Sequence, residues 1–306
     1  MRVLMTGATG FIGTKACATL VQAGYEVVAL SRNADNARRH LPNVLAAYPW
    51  APLEGPPPAE AFDGVDAVVN LAGENVAGRW TTAKKQRIRD SRVIGTRNLV
   101  EGIRAAEPKP SVLISGSAHG YYGDRGDDEL TESEPHGSDF LGGVCKEWED
   151  AAVQAESFGV RVVRMRTALV VGPGGGFLKP VTPLYKFGMG GPLGSGEQWW
   201  AWVHLDDVTR LIVHAIAYEE LRGPVNVAAP AALRQREFAK TMGSVLNRPA
   251  ILPAPAFAIK LILGEFAVEV LSSKHLVPQA ATDAGYAFTF PYLEPALRDA
   301  YDQPRA

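Results

Sequence analysis

Two cysteines, Cys17 and Cys145, are all that a chain of 306 residues carries. They lie far apart and in no metal-ligand spacing, which excludes a disulfide framework and points to a reducing compartment. The six histidines, at 40, 119, 136, 204, 214 and 275, show no ligand spacing either, so no metal site is expected. Charge of one sign is also scarce: 31 Lys and Arg against 33 Asp and Glu leave a formal net charge of -2. Nothing there calls for nucleic acid or an anionic membrane as a partner. Long apolar runs are missing as well. The opening Met-Arg-Val-Leu-Met-Thr is cut by Gly7 before it reaches signal-peptide length. The longest candidate, 254–271, is broken by Pro255, Lys260, Glu265 and Glu269 and falls short of the roughly 20 apolar residues of a membrane span. A cytoplasmic protein that meets a small-molecule substrate is the expectation, with monomer and homodimer both open.

What is present is an alternation of strand and helix. Arg2–Thr6 reads as a strand, Phe11–Ala23 as a helix closed by Gly24, and Tyr25–Ser31 as a nearly all-apolar second strand. Such a βαβ unit is the crossover that a parallel pair requires. Further strands are predicted at 67–71, 112–115 and 160–171, and helices at 81–106 and 140–158. The segment from Pro49 to Pro58 reads as a surface loop. The pattern predicts an α/β fold, a doubly wound parallel Rossmann sheet over residues 1–175 with strands returning from about 203–228. A smaller C-terminal α/β annex, 176–306, is expected to bind substrate.

Between the first strand and helix stands Thr6-Gly7-Ala8-Thr9-Gly10-Phe11-Ile12-Gly13. Gly7 permits the tight turn, Gly10 lets backbone approach a pyrophosphate, and Gly13 lets helix and strand pack closely. The helix start then offers free N–H groups to phosphates. Where an NAD site places an acid after the second strand, this chain has Ser31-Arg32-Asn33, and its first acid is Asp35. An arginine there suits a 2′-phosphate, so NADP(H) is expected over NAD(H).

These residues resemble the extended short-chain dehydrogenase/reductases of the NAD-epimerase type. Thr6-Gly7-x-x-Gly10-Phe11-Ile12-Gly13 resembles their nucleotide loop, and Asn70-Leu71-Ala72-Gly73 the loop that lies along the cofactor. Ser115-Gly116-Ser117-Ala118 with Tyr121-Tyr122-Gly123 is similar to their catalytic-serine strand. More narrowly, the chain resembles an atypical branch of the NAD-dependent epimerase/dehydratase family. Its marks are Leu-Ala-Gly-Glu-Asn-Val (71–76) with Arg79-Trp80, then Ser195-Gly196-Glu197-Gln198, and Trp202-Val203-His204 with Asp207. The segment 250–298, with Leu252-Pro253-x-Pro255, resembles that branch's C-terminal domain of unknown function.

The resemblance implies a serine, a tyrosine and a lysine four residues after it as the catalytic set. Lys146 stands at the expected helix position, but the residue four before it is Gly142. A phenol near pKa 10 needs such a lysine to act as base at neutral pH, and a glycine has no proton to give. Two readings follow: another group carries the proton, from Tyr121, Tyr122 or His119 beside Ser117, or the protein binds cofactor as a sensor or scaffold without turnover. The catalytic candidates are Ser117, Tyr122 and Lys146, the last also a ribose contact. Cofactor candidates are Thr6, Gly7, Thr9, Gly10, Phe11, Ile12, Gly13, Ser31, Arg32, Leu71, Ala72 and Gly73. Substrate candidates are Glu74, Asn75, Arg79, Trp80, Trp199 and Trp202. The basic run Lys84, Lys85, Arg87, Arg89, Arg92 and Arg97 reads as a solvated or subunit-facing helix surface, and Asp207 as a helix cap.

Overall fold

The first strand, β1 (Arg2–Thr6), is buried from Val3 to Thr6 because it runs through the middle of a parallel sheet with a neighbour on each side. The structure, a computed structural model, describes residues 1–302. The other strands of that sheet are β2 (Glu26–Ser31), β3 (Ala46–Pro49), β4 (Ala67–Asn70), β5 (Val112–Ala118), β6 (Arg161–Thr167) and β7 (Gly223–Val227). Their order is β7-β6-β5-β4-β1-β2-β3, and every pair is parallel. The winding reverses between β1 and β4, so a ligand crevice belongs outside the carboxyl ends there.

Alternation along the strands divides the core in two. Val3, Met5, Val27 and Ala29 face the layer of α1 (Phe11–Gln22), α2 (Ala34–His40) and Leu211 and Ile212 of α5 (Leu205–Ala217). Leu4, Val28, Val68 and Leu113 face Leu99 and Ile103 of α3 (Thr82–Ala105) and Ala152 of α4 (Phe140–Val153). This is the doubly wound Rossmann sheet that the pattern predicts.

Three local expectations differ. The predicted strand 160–171 is two: β6 pairs with β7 through Thr167, and Leu169–Val171 pairs instead with Trp202–His204 in a separate ribbon. The predicted helix 140–158 turns to a 3-10 helix at Gln154–Phe158. A strand that the pattern does not predict, the edge strand β3, ends at Pro49, the first residue of the predicted loop, and its terminal proline costs no ladder bond to a further strand.

The annex closes on its own core of Trp200, Trp202, Phe238, Met242, Leu293 and Leu297. Its tail is fastened to the Rossmann half by Asp207. That carboxylate accepts the backbone N–H of Thr289 (2.7 Å) and Phe290 (2.9 Å) and the hydroxyl of Tyr286 (3.1 Å). Asp207 is therefore a docking point, and the cap of α5 is His204, whose Nδ1 accepts the Asp206 N–H at 3.2 Å. Among the described residues no helix is long and apolar enough to cross a membrane, and no cluster of His, Cys, Asp or Glu is arranged to hold a metal.

Candidate functional site

At the carboxyl end of β1 the chain makes room by omitting atoms. Gly7 adopts φ +66°, and a Cβ on it would lie 2.7 Å from the Leu71 carbonyl carbon. A Cβ on Gly13 would lie 2.1 Å from the Gly7 oxygen. The loops after β1 and β4 thus touch backbone to backbone. Thr6 ties them: its hydroxyl donates to Asn70 Oδ1 (2.7 Å) and accepts the N–H groups of Leu71 and Ala72, each at 3.1 Å. Helix α1 starts at the N-cap Gly10 with no side-chain cap, which leaves first-turn N–H groups for a ligand. Phe11 is clamped under the glycine loop after Val171, where a Cβ on Gly175 would meet its ring at 2.3 Å, and Ile12 packs on the core.

A cleft of about 490 Å³ opens here, within the range of cofactor sites. It is lined by Thr6, Gly7, Thr9 and Gly10 after β1, by Ser31 and Arg32 at the end of β2, and by Leu71, Ala72, Gly73 and Glu74 after β4. Arg32 is exposed and has no ion-pair partner among the described residues. Ser31 Oγ donates to the Asn33 carbonyl at 3.1 Å, which shapes the turn that presents Arg32. Sequence reasoning missed Trp50 and Glu54, from the loop after β3, and Arg87 and Ser91 of α3, all on the same cleft. Local patterns carry no sign of them, because β3 itself was hidden. The space, the glycine cradle and the donor set fit a dinucleotide.

The sheet edge over β5 and β6 is built differently. Ser117 is buried, and its hydroxyl donates to Glu149 Oε1 at 2.7 Å. Glu149 is in turn bound by Arg166 through Nε (2.9 Å) and Nη2 (3.0 Å), and by Arg164 at 3.3 Å. Tyr122 is fully buried; its hydroxyl donates to Asn226 Oδ1 (2.7 Å) and accepts from Arg166 (2.9 Å). Burial pushes its phenol up to about 12. Lys146 is half-exposed and paired with Asp150 at 2.5 Å, one turn along its own helix. The structure therefore joins Ser117 and Tyr122 in one ion network and leaves Lys146 apart from both.

Gly142 is more than a missing side chain. A Cβ there would lie 2.4 Å from the Gly137 carbonyl oxygen, and Gly137 is itself pressed on Gly123. Backbone fills the volume at the base of any residue placed there. The Cys145 thiol beside it is buried and pushed up to about 12 by that burial, so it is inert.

Of the substrate candidates, only Glu74 lines the cleft. Its carboxylate pairs with Lys84 (2.7 Å) and Arg87 (3.7 Å), and the Lys84 hydrogen bond holds it below the usual carboxylate range. Asn75 Oδ1 accepts the Ala77 N–H, and Arg79 donates to the Leu261 carbonyl. Trp80 donates to the Val76 carbonyl and packs on Phe140 and Phe266. Trp199 stacks on His275 with ring centroids 4.0 Å apart and under the Arg234 guanidinium at 4.1 Å, and Trp199 and Arg234 both donate to Asp127 of the Rossmann half. Trp202, 1% exposed, belongs to the annex core and faces no cleft. A larger cavity of about 710 Å³, between 194–198 and the helical segment 256–272, is lined by none of these candidates. Much of the basic run of α3 is paired within the chain, Lys85 on Glu265, Arg89 on Glu147 and Arg92 over the Trp148 ring, while Arg87 and Arg97 are exposed.

Residues 3–228 match the NAD dependent epimerase/dehydratase family, and residues 254–300 match a domain of unknown function, DUF1731. The chain is 38% identical over 301 residues to the chloroplastic epimerase family protein SDR39U1 homolog of Arabidopsis thaliana, covering 97% of this chain and 86% of that protein. It is 35% identical over 298 residues to the epimerase family protein YfhF of Bacillus subtilis, covering 97% of each. Among solved structures, the human epimerase family protein SDR39U1 with NADPH is similar at a TM-score of 0.89 and 31% identity, over 99% of this chain and 100% of that one. MoeE5 in complex with UDP-glucuronic acid and NAD shares the fold, with a TM-score of 0.79 at 21% identity over 99% and 98% of the two chains.

Proposed function

The chain belongs to the NAD dependent epimerase/dehydratase family, and on that premise we propose that it binds NADP(H) in preference to NAD(H) and acts as an epimerase- or oxidoreductase-like enzyme on a small hydroxyl or carbonyl compound. The observation that carries this reading is the cleft over β1 and β2: a glycine cradle at an uncapped helix start, with an exposed Arg32, unpaired among the described residues, where an acid would select NAD. The NADPH in the human relative's structure supports the same choice. Bound there, a nicotinamide cofactor supplies hydride exchange. The chain's own part is to hold it: Gly7, Gly10 and the α1 N–H groups at the pyrophosphate, Arg32 at the 2′-phosphate, and the 71–73 loop along its length.

Calorimetric titration with NADPH and NADH tests the reading. NADPH is expected to bind more tightly, and Arg32→Ala to cost about 1–3 kcal/mol for NADPH and little for NADH. An equal loss for both cofactors contradicts the phosphate contact, and no binding of either removes the proposal.

One observation favours a second reading, a dinucleotide-binding sensor or scaffold without turnover: Gly142 and the burial of Ser117 and Tyr122 leave the usual proton donor absent. NADPH consumption with any member of a panel of small aldehydes, ketones or nucleotide sugars decides for the enzyme. Tight binding with no consumption across the panel favours the binder.

A further inference from the structure

β5 ends at Ala118, and the next residue is His119. The carboxyl end of β5 lies beside those of β4 and β6, the side of the switch point that takes the nicotinamide half when the adenosine half lies over β1 and β2. Glu269 meets His119 there from the C-terminal segment, in the short helix Ala267–Leu271. Its Oε2 stands 3.8 Å from His119 Nε2, and its Oε1 stands 3.4 Å from Lys274 Nζ. Lys274 is 2% exposed and also hydrogen-bonds Ser272 Oγ.

His119 Nδ1 is buried with no partner among the described residues. A buried N–H without an acceptor is costlier than an idle lone pair, and the Glu269 carboxylate attracts a proton to the opposite nitrogen. The imidazole proton therefore sits on Nε2. Burial first, then the Lys274 charge, pushes the ring's basicity down to about 3, so His119 is neutral. At 3.8 Å the N–H and the carboxylate are too far apart for a direct hydrogen bond, and an oxygen atom set to one side of the line between them would lie within bonding reach of both.

We propose that this gap receives the reacting oxygen of the substrate, with Glu269 as the proton carrier and His119 as the neutral hydrogen-bond donor, so that the C-terminal segment completes the site that Gly142 leaves without a tyrosine. This rests on the reading of the chain as a nicotinamide-dependent enzyme. In the oxidative direction the substrate O–H bond breaks and its proton passes to Glu269 Oε2. The electron pair left on oxygen becomes the second C–O bond as the carbon's hydrogen leaves with its own pair, for which the nicotinamide cofactor is the acceptor. His119 Nε2–H donates to the oxygen throughout. In reverse, the imidazole polarises the carbonyl and Glu269 returns the proton. A carboxylate and a neutral imidazole about one oxygen divide acid–base work by environment rather than by residue type.

A crystal structure of the native chain with NADPH tests the assignment. Nicotinamide C4 is expected within roughly 5 Å of the midpoint between His119 Nε2 and Glu269 Oε2, a near-attack contact plus one C–O bond. A ring that faces elsewhere, or a nearer proton-bearing side chain such as Tyr121, overturns the proposal. In calorimetry Glu269→Gln and His119→Gln are expected to keep the native NADPH Kd within about twofold, because both act on the substrate oxygen and the main cofactor contacts lie in the 490 Å³ cleft. With any carbonyl that the native chain reduces, Glu269→Gln is expected to lower kcat roughly 10²–10⁴-fold with KM little changed; an unaltered kcat sinks the assignment. Should Glu269→Gln unfold because Lys274 loses its counter-charge, His119→Gln carries the same comparison. Failure of the native chain to bind NADPH is a distinct result, a missing heat rather than a misplaced ring, and removes the underlying reading.

Discussion

The two ends of the sheet's carboxyl edge are made by opposite means. Over β1 and β2 the chain withholds side chains: Gly7, Gly10 and Gly13 and an uncapped helix leave backbone donors facing an open cleft. Over β5 and β6 it packs side chains in, with Ser117, Glu149, Arg166, Tyr122 and Asn226 bonded to one another in the interior. An open surface of unpaired donors has free energy to give a ligand. A closed network has already spent its hydrogen bonds on the fold, and burying such charges is tolerable only when each is paired. The serine and tyrosine that resemble a catalytic set therefore hold their hydroxyls on partners within the fold, whereas the glycine loop keeps its donors free.

That contrast can be broken by making the closed end behave like the open one. The largest expected effect is from Glu149→Gln, which leaves Arg166 and Arg164 without their buried counter-charge. A loss of about 3–5 kcal/mol in urea unfolding is expected, with the NADPH Kd unchanged. Tyr122→Phe removes the hydroxyl between Arg166 and Asn226 and is expected to cost about 1.5–3 kcal/mol in the same assay. If it instead abolishes turnover while stability holds, Tyr122 is a catalytic group and the contrast fails. Gly142→Ala forces a Cβ against the Gly137 carbonyl and is expected to cost about 1–3 kcal/mol with no change in cofactor affinity.

The gentlest effects are those of pH. His119 stays neutral in the folded chain down to about 3 but protonates near 6.5 when unfolded. Between those values the unfolded state binds the extra proton, so stability falls as pH drops below about 6.5. In the alkaline range Tyr122 ionises near 10 unfolded and about 12 folded, so stability falls as pH rises across that window. Urea midpoints across pH should show both limbs. His119→Gln should flatten part of the acid one; an unchanged acid limb would mean the imidazole is not buried neutral.

What the sequence made legible was what is local. The glycine loop, β1, α1 and β2 are read within about 30 residues, since turn, capping and periodicity act at that range. Ala46–Pro49 escaped because four residues ending in proline carry little strand signal, and with it went Trp50 and Glu54 of the cleft. The split after Thr167 escaped because partners, not propensity, decide where a strand changes sheets. Ser117 and Tyr122 could be found but not interpreted: Glu149, Arg166 and Asn226, which decide where their hydroxyls point, lie 32, 44 and 104 residues away from their bonded partners. Glu269 left one trace, a lone acid amid Ala267, Val268, Val270 and Leu271, which reads first as an interruption of an apolar run.

The stacked backbones at Gly123, Gly137 and Gly142 also bear on how such a chain can change over generations. A codon change that placed tyrosine at 142 would meet the 137 carbonyl before the phenol reached any substrate. Its benefit would appear only after the 123–137 loop had moved, and moving that loop first offers nothing without the tyrosine. The glycine therefore works as a latch: a tyrosine at 142 is closed to a single substitution, and a proton route is more readily recruited from another part of the chain.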